Sequence, residues 1–180
     1  VETPTSDFYG GHRPGNNLFA ESLVCVDLKT GQRKWHFQFI HHPIWDHDLS
    51  SAPLIADVVV DGRPRKVVAV PTKQSMLYVF DRVTGTPIWP MMEIPVPASD
   101  VPGERAAPTQ PFPTRPAPFA AQGFGDDQLV DFTPAIRDAA RAFVAQFTSG
   151  QLFTPPSMQG TIMLPGNIGG AGWGGGAIDP

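Results

Sequence analysis

A single cysteine, Cys25, stands in this chain of 180 residues, which excludes an internal disulfide and any Cys-based zinc cluster. Charge is sparse too. Asp, Glu, Lys and Arg make up 17% of the residues, against about 25% in an ordinary globular chain. The net charge of -4 argues against nucleic acid as the main partner. No apolar run approaches the roughly 18 residues of a membrane span, so no span is expected within this chain. Val1 is not preceded by an initiator Met or a basic leader, and Gly174 to Ile178 offer no strand or helix to close the end. The chain therefore reads as a fragment, or a processed form, of something longer.

Glycine and proline, by contrast, are abundant at 18 and 21 residues, and that many breakers exclude a helical bundle. Hydrophobic residues reach 41%, too many for a disordered chain, and fall in short runs bounded by turns. Two stretches repeat. Leu23 to Trp35 aligns without gaps on Leu77 to Trp89, sharing Leu, Asp, Thr-Gly and Trp at identical offsets. Each predicts a short strand, an Asp that accepts from turn N–H groups, a Gly at positive φ, and a second strand ending in Trp. A Trp fixed in each unit can bury a large face on the neighbouring unit, as a β-propeller requires. Asp61-Gly62 between the Val-rich runs Pro53–Val60 and Lys66–Val70 predicts a further hairpin. Residues 20–92 are thus expected to form consecutive antiparallel strands.

Residues 93–124 hold eight prolines between Pro95 and Pro118, which predicts no continuous secondary structure there; an insertion over one face and a plain linker both fit. Thr133-Pro134 is a helix start. Ile136, Ala139, Ala140, Phe143, Val144 and Phe147 follow at helical spacing, predicting one helix over 134–147 whose apolar stripe packs on a core. A strand is expected over Thr161–Leu164, before a glycine-rich stretch containing Trp173.

Three places could carry chemistry. His41-His42-Pro43-Ile44-Trp45-Asp46-His47-Asp48 concentrates three His and two Asp beside a Trp, and Pro43 puts them on a loop. A carboxylate against a large ring is partly desolvated, which suits a general base. A metal site, without zinc-motif spacing, and a solvated turn remain open. Lys73 lies one hairpin downstream and could share a rim with Asp46, where its cation would bind a carboxylate or quinone oxygen. Gly166 to Gly176 would let backbone approach a flat ligand, with Trp173 along it.

These stretches resemble the quinoprotein dehydrogenases that use pyrroloquinoline quinone (PQQ), and the glucose and polyol branch in particular. The Asp-x-x-Thr-Gly…Trp units are similar to that family's tryptophan-docking repeats. Asp7-Phe8-Tyr9-Gly10-Gly11, His41-His42-x-x-Trp45-Asp46-x-Asp48, Pro108-Thr109-Gln110-Pro111-Phe112, Phe153-Thr154-Pro155-Pro156 and Pro165-Gly166-Asn167 follow in the same order. The resemblance implies an all-β fold, part of an eight-bladed β-propeller with a Pro-rich insertion and one short helix. Residues 1–92 would be blades, 93–150 the insertion, and 151–180 the start of a further blade.

It also implies a dehydrogenase of sugars, polyols or alcohols, with PQQ and Ca²⁺ or Mg²⁺ as cofactors and ubiquinone or a cytochrome as electron acceptor. The location would be periplasmic, with an inner-membrane anchor left open for the full-length protein. Carried over by position, Asp46 is the base and Lys73 contacts the quinone. Trp173, Gly172 and Gly174 lie beside PQQ, Asp46 and Thr3 are metal ligands, and His42 and Asp48 are near substrate. Thr3 stands where alcohol-oxidising relatives have Asn, Pro43 where the glucose branch often has Asp, and Gly172 where a larger side chain is common. Competing expectations are a non-catalytic propeller scaffold and an alcohol dehydrogenase with a fused haem domain. The 180 residues alone are expected to be poorly stable and inactive.

Overall fold

The structure, a computed structural model, describes residues 1–179. It contains seven strands, one 3₁₀ turn and one α-helix. Strands β1 (Ser22–Val26) and β2 (Arg33–Gln38) pair antiparallel, with a bulge between Cys25 and Val26. Strands β3 (Leu54–Val60), β4 (Arg63–Pro71) and β5 (Leu77–Asp81) form an antiparallel meander. Strands β6 (Met91–Pro95) and β7 (Thr109–Pro113) make a third, two-stranded sheet. Consecutive antiparallel strands over 20–92 are therefore present, although the second repeat ends in a bridge, Phe80 to Pro87, rather than a strand.

The repeat turns form as their sequences require. Asp27 Oδ1 accepts from the N–H groups of Lys29 and Thr30 at 3.1 and 3.0 Å. Asp81 Oδ1 accepts from those of Val83 and Thr84, both at 2.9 Å. Gly31 and Gly85 take φ of 71° and 74°, open to glycine without steric cost. A Cβ on Gly85 would lie 2.5 Å from Trp35 Cδ2. The indole of the first unit thus lies flush on the turn of the second, stapling one sheet to the next.

Side-chain alternation then sorts the meander into two faces. Val68, Val70, Tyr78 and Phe80 point into the main core with Phe39, Ile40, Ile44, Trp45 and Phe153. Phe37 and Phe80 rings lie 4.8 Å apart, and Phe39 and Tyr78 meet edge-on at 4.6 Å, so the β1–β2 sheet stacks on the meander. Val67, Ala69 and Val79 turn to the opposite face, with Ala56, Val58 and Trp89 beside them.

Three expectations need correction. The Pro-rich segment does hold a strand, because Pro111 and Pro113 alternate along β7 and their missing donors fall on one edge. The helix α1 (Pro134–Val144) is capped by Thr133, whose Oγ1 accepts from Ile136 N at 3.2 Å, but it buries no residue. Phe143 is 61% exposed, so the stripe does not pack on a core. The strand expected over 161–164 reduces to one bridge, Thr148 to Thr161. No helix among the described residues is long and apolar enough to cross a membrane.

Candidate active site

The loop between β2 and β3 carries the polar cluster, and its direction is set by what Trp45 does. Trp45 is buried, donates from Nε1 to the Thr154 carbonyl at 3.0 Å, and meets Phe153 edge-on at 5.1 Å. Asp46 follows at φ 53°, in the left-handed region that is uncommon for L-residues and that Asp adopts more readily than most. With Trp45 anchored inward, this turn sends the Asp46 carboxylate out into a concavity of about 330 Å³ lined by Asp46, Asp48, Lys73, Asn167, Gly172 and Trp173, among others.

Lys73 enters the same concavity from the β4–β5 turn. Its Nζ donates to the Asp46 carbonyl at 2.9 Å and to Asp48 Oδ2 at 3.0 Å, and lies 3.8 Å from Asp46 Oδ1. Asn167 Nδ2 lies 3.5 Å from Asp46 Oδ2. Glycines bring the C-terminal segment against this turn. Gly170 N donates to the Lys73 carbonyl at 2.8 Å, and a Cβ on Gly169 would sit 2.4 Å from Lys73 Cβ. Burial, then Asp48, raise the Asp46 carboxyl above its ordinary value, with Lys73 opposing. Burial works on Asp48 in the same sense, but the Thr3 N–H and Lys73 outweigh it and hold that carboxyl low. One acid is made more basic while its neighbour stays ionised.

Not every expected residue joins this group. His42 points away: it is buried, with Nε2 2.7 Å from Glu104 Oε1 and Nδ1 2.7 Å from the Gly15 carbonyl. Trp173 stands at the rim, 84% exposed. Gly172 also lines the concavity, and its carbonyl accepts from Ser51 Oγ at 2.9 Å; a side chain on Gly172 or Gly174 would meet nothing. Thr3 N donates to Asp48 Oδ1 at 2.8 Å and its hydroxyl donates to Glu21.

Two residues at the site had no role from sequence. Asn167 lay in a quoted motif, and its chemistry gave no distinguishing signal. Glu21 is fully buried, and burial pushes its carboxyl up to about 8; a lone acid before a strand gives no warning of that.

A flat, anionic, aromatic cofactor fits what is present: an ammonium in the floor, an exposed indole at the rim, and glycines with space beside them. Among the described residues no three His, Cys, Asp or Glu side chains gather into a metal cage; of the two expected metal ligands, Thr3 bonds Asp48 and Glu21 and Asp46 faces Lys73.

The family model described as the β-propeller domain of PQQ-dependent glucose, ethanol and alcohol dehydrogenases matches residues 1–180. The chain belongs to this family. It is 36% identical over 185 residues to quinoprotein glucose dehydrogenase of Escherichia coli (strain K12), covering 98% of this chain and 22% of that protein. It is 34% identical over 179 residues to the glycerol dehydrogenase large subunit of Gluconobacter oxydans (strain 621H), covering 97% and 24%. This PQQ-propeller chain therefore spans under a quarter of those relatives' length. A solved europium-containing methanol dehydrogenase superposes with a TM-score of 0.58 at 16% identity, covering 93% of this chain and 23% of that one, which supports the propeller fold. The sheets stapled through Trp35 are pieces of propeller blades.

Proposed function

We propose that this chain carries the catalytic rim of a PQQ-dependent dehydrogenase that oxidises a sugar, polyol or alcohol, within an eight-bladed propeller. The observation behind this is the meeting of Lys73 Nζ with Asp48 at 3.0 Å and Asp46 at 3.8 Å in one concavity. Lys73 and Trp173 would hold PQQ, which when bound supplies an electrophilic carbonyl carbon that accepts a hydride.

Asp46 takes the substrate hydroxyl proton. Its Oδ1 faces the Lys73 ammonium, while Oδ2 has a long Asn167 contact at 3.5 Å and receives the proton, with the neighbouring Asp48 carboxylate raising the affinity of the group. Partial burial keeps that oxygen reactive by limiting its hydration. Lys73, fixed by the Asp46 carbonyl and Asp48, presents its remaining N–H toward the concavity and stabilises negative charge developing on a bound oxygen. Asp48 orients the ammonium and stays ionised beside it. Trp173 offers a flat apolar wall that excludes water from one side.

The named relatives act on glucose and glycerol, and another is a quinate/shikimate dehydrogenase whose name specifies a quinone. A small polyhydroxylated substrate and a quinone acceptor follow by analogy; a periplasmic location rests on the family resemblance alone. The test is Asp46→Asn in the complete protein. Turnover should fall by about two to four orders of magnitude while PQQ still binds with unchanged stoichiometry. Near-normal turnover in that variant removes Asp46 from the base role.

A further inference from the structure

The Pro-rich segment that runs from β6 through β7 does more than cross a surface. Gln110 is fully buried and grips the main chain of His41 at both groups. Its Oε1 accepts from His41 N at 2.8 Å, and its Nε2 donates to His41 O at 2.8 Å. One residue along, His42 and Glu104 meet with both side chains only 1% exposed. The Glu104 carboxylate accepts at Oε2 from Gly10 N at 2.5 Å, and at Oε1 from Arg105 N at 2.7 Å and from His42. Nδ1 of His42 lies 2.7 Å from the Gly15 carbonyl, so each ring nitrogen faces an oxygen and the ring is held at both ends. Gly10 cannot be larger, since a Cβ there would stand 2.3 Å from His42 Nε2.

The backbone explains why such a grip is present. His42 has φ 46° and Asp46 φ 53°, so two L-residues of one short loop sit in the left-handed region. Each brings Cβ close to the following carbonyl oxygen, a crowding that Asp and His tolerate better than most residues but that still disfavours the turn. A loop strained twice keeps one shape only where its surroundings over-determine it. Trp45 holds the far side through Thr154, and Arg13 Nη2 donates to the Pro43 carbonyl at 2.6 Å. Glu104 and Gln110 hold the near side, and both come from a segment whose prolines stiffen it in advance.

We propose that Glu104 and Gln110 are positioning residues for Asp46: they clamp His41 and His42 and thereby fix the loop that aims the carboxylate at the Lys73 concavity. The inference rests on Asp46 being the base. It assigns the Pro-rich segment a catalytic support role and gives His42 a structural part in place of substrate contact.

The experiment uses the complete, PQQ-loaded protein carrying Glu104→Ala, Gln110→Ala, or Glu104→Gln. Two quantities are read: hydrogen exchange of the peptide spanning residues 41–48, and kcat and KM per bound PQQ. Both alanine variants should speed exchange in that peptide. They should lower kcat about tenfold to a hundredfold, the scale of a small misplacement of a reacting group, with KM within about twofold. Glu104→Gln keeps an oxygen for His42 and Arg105 but sets an amide N–H against Gly10 N, so it should recover the rate only in part and fall between wild type and Glu104→Ala. Unchanged exchange in 41–48 overturns the clamp. Faster exchange with unchanged kcat overturns the positioning role. If Glu104→Ala yields no folded protein, Gln110→Ala alone decides by the same two readouts. Asp46→Asn is run alongside: if it keeps its turnover, the base assignment has failed, and exchange still reports whether the clamp exists.

Discussion

Glu21 and His47 lie close around the Asp46–Lys73 pair, and each carries a protonation cost of opposite sign. Burial pushes Glu21 to about 8 from an ordinary 4.5, so the folded chain keeps a proton that the unfolded chain releases. Its contribution to stability is complete below about 4.5 and is lost as pH rises through about 8. Burial pushes His47 down to about 4 from 6.5, against a weaker pull from the Pro165 and Gly166 backbone, and neither ring nitrogen makes a well-formed hydrogen bond among the described residues. Its contribution is present above 6.5 and is lost as pH falls through about 4. Glu21→Gln in the complete protein should therefore gain most in Tm near pH 8 and least near pH 4.5; an equal shift at both ends would mean Glu21 holds no such proton. Asp46 and Lys73 were legible in sequence because an Asp beside Trp and a Lys one hairpin on leave few ways to meet. His42 was not, because its φ of 46° and a partner sixty-two positions away leave no local pattern.

At the level of the element, the repeat supplies its own control. Gly31 and Gly85 occupy the same turn position with φ of 71° and 74°. A Cβ at Gly31 meets nothing, whereas one at Gly85 meets the Trp35 ring at 2.5 Å. Gly31→Ala should cost about 1–2 kcal/mol from backbone strain alone. Gly85→Ala should add roughly 1–3 kcal/mol by displacing the indole. Denaturant midpoints of the two variants of the complete protein measure the gap; equal losses would show that Trp35 does not bear on that turn. The hairpins and the Trp staple were readable because turn chemistry and strand alternation are local. Strand β7 was hidden by Pro111 and Pro113, since the edge on which missing donors fall depends on the partner strand. The α1 stripe was misjudged for a related reason: Phe143 and Phe147 contact each other, rings 5.4 Å apart, rather than a core, and periodicity cannot say whether a partner is present.

Over the whole molecule, the meander has one face in the main core and another that is open. Ala56, Val58, Val67, Val79 and Trp89 line a shallow apolar groove of about 470 Å³ on that second face, and Ile55 and Val59 are exposed as well. Uncovered apolar sheet of this extent is uncommon on a free-standing monomer. The 180 residues expressed alone should bind a hydrophobic dye and melt over a broad range. A sharp cooperative melt without dye binding would show that this face satisfies itself. Propeller membership was readable because ordered motifs span most of the chain, while the open groove emerges only once the strands are placed.

The concavity draws its walls from Asp46, Lys73, Asn167 and Trp173, side chains that stand far apart along the chain. Contacts of such long span form slowly, so these walls come together only after the local hairpins have closed, and a ligand that needs all of them must wait for that.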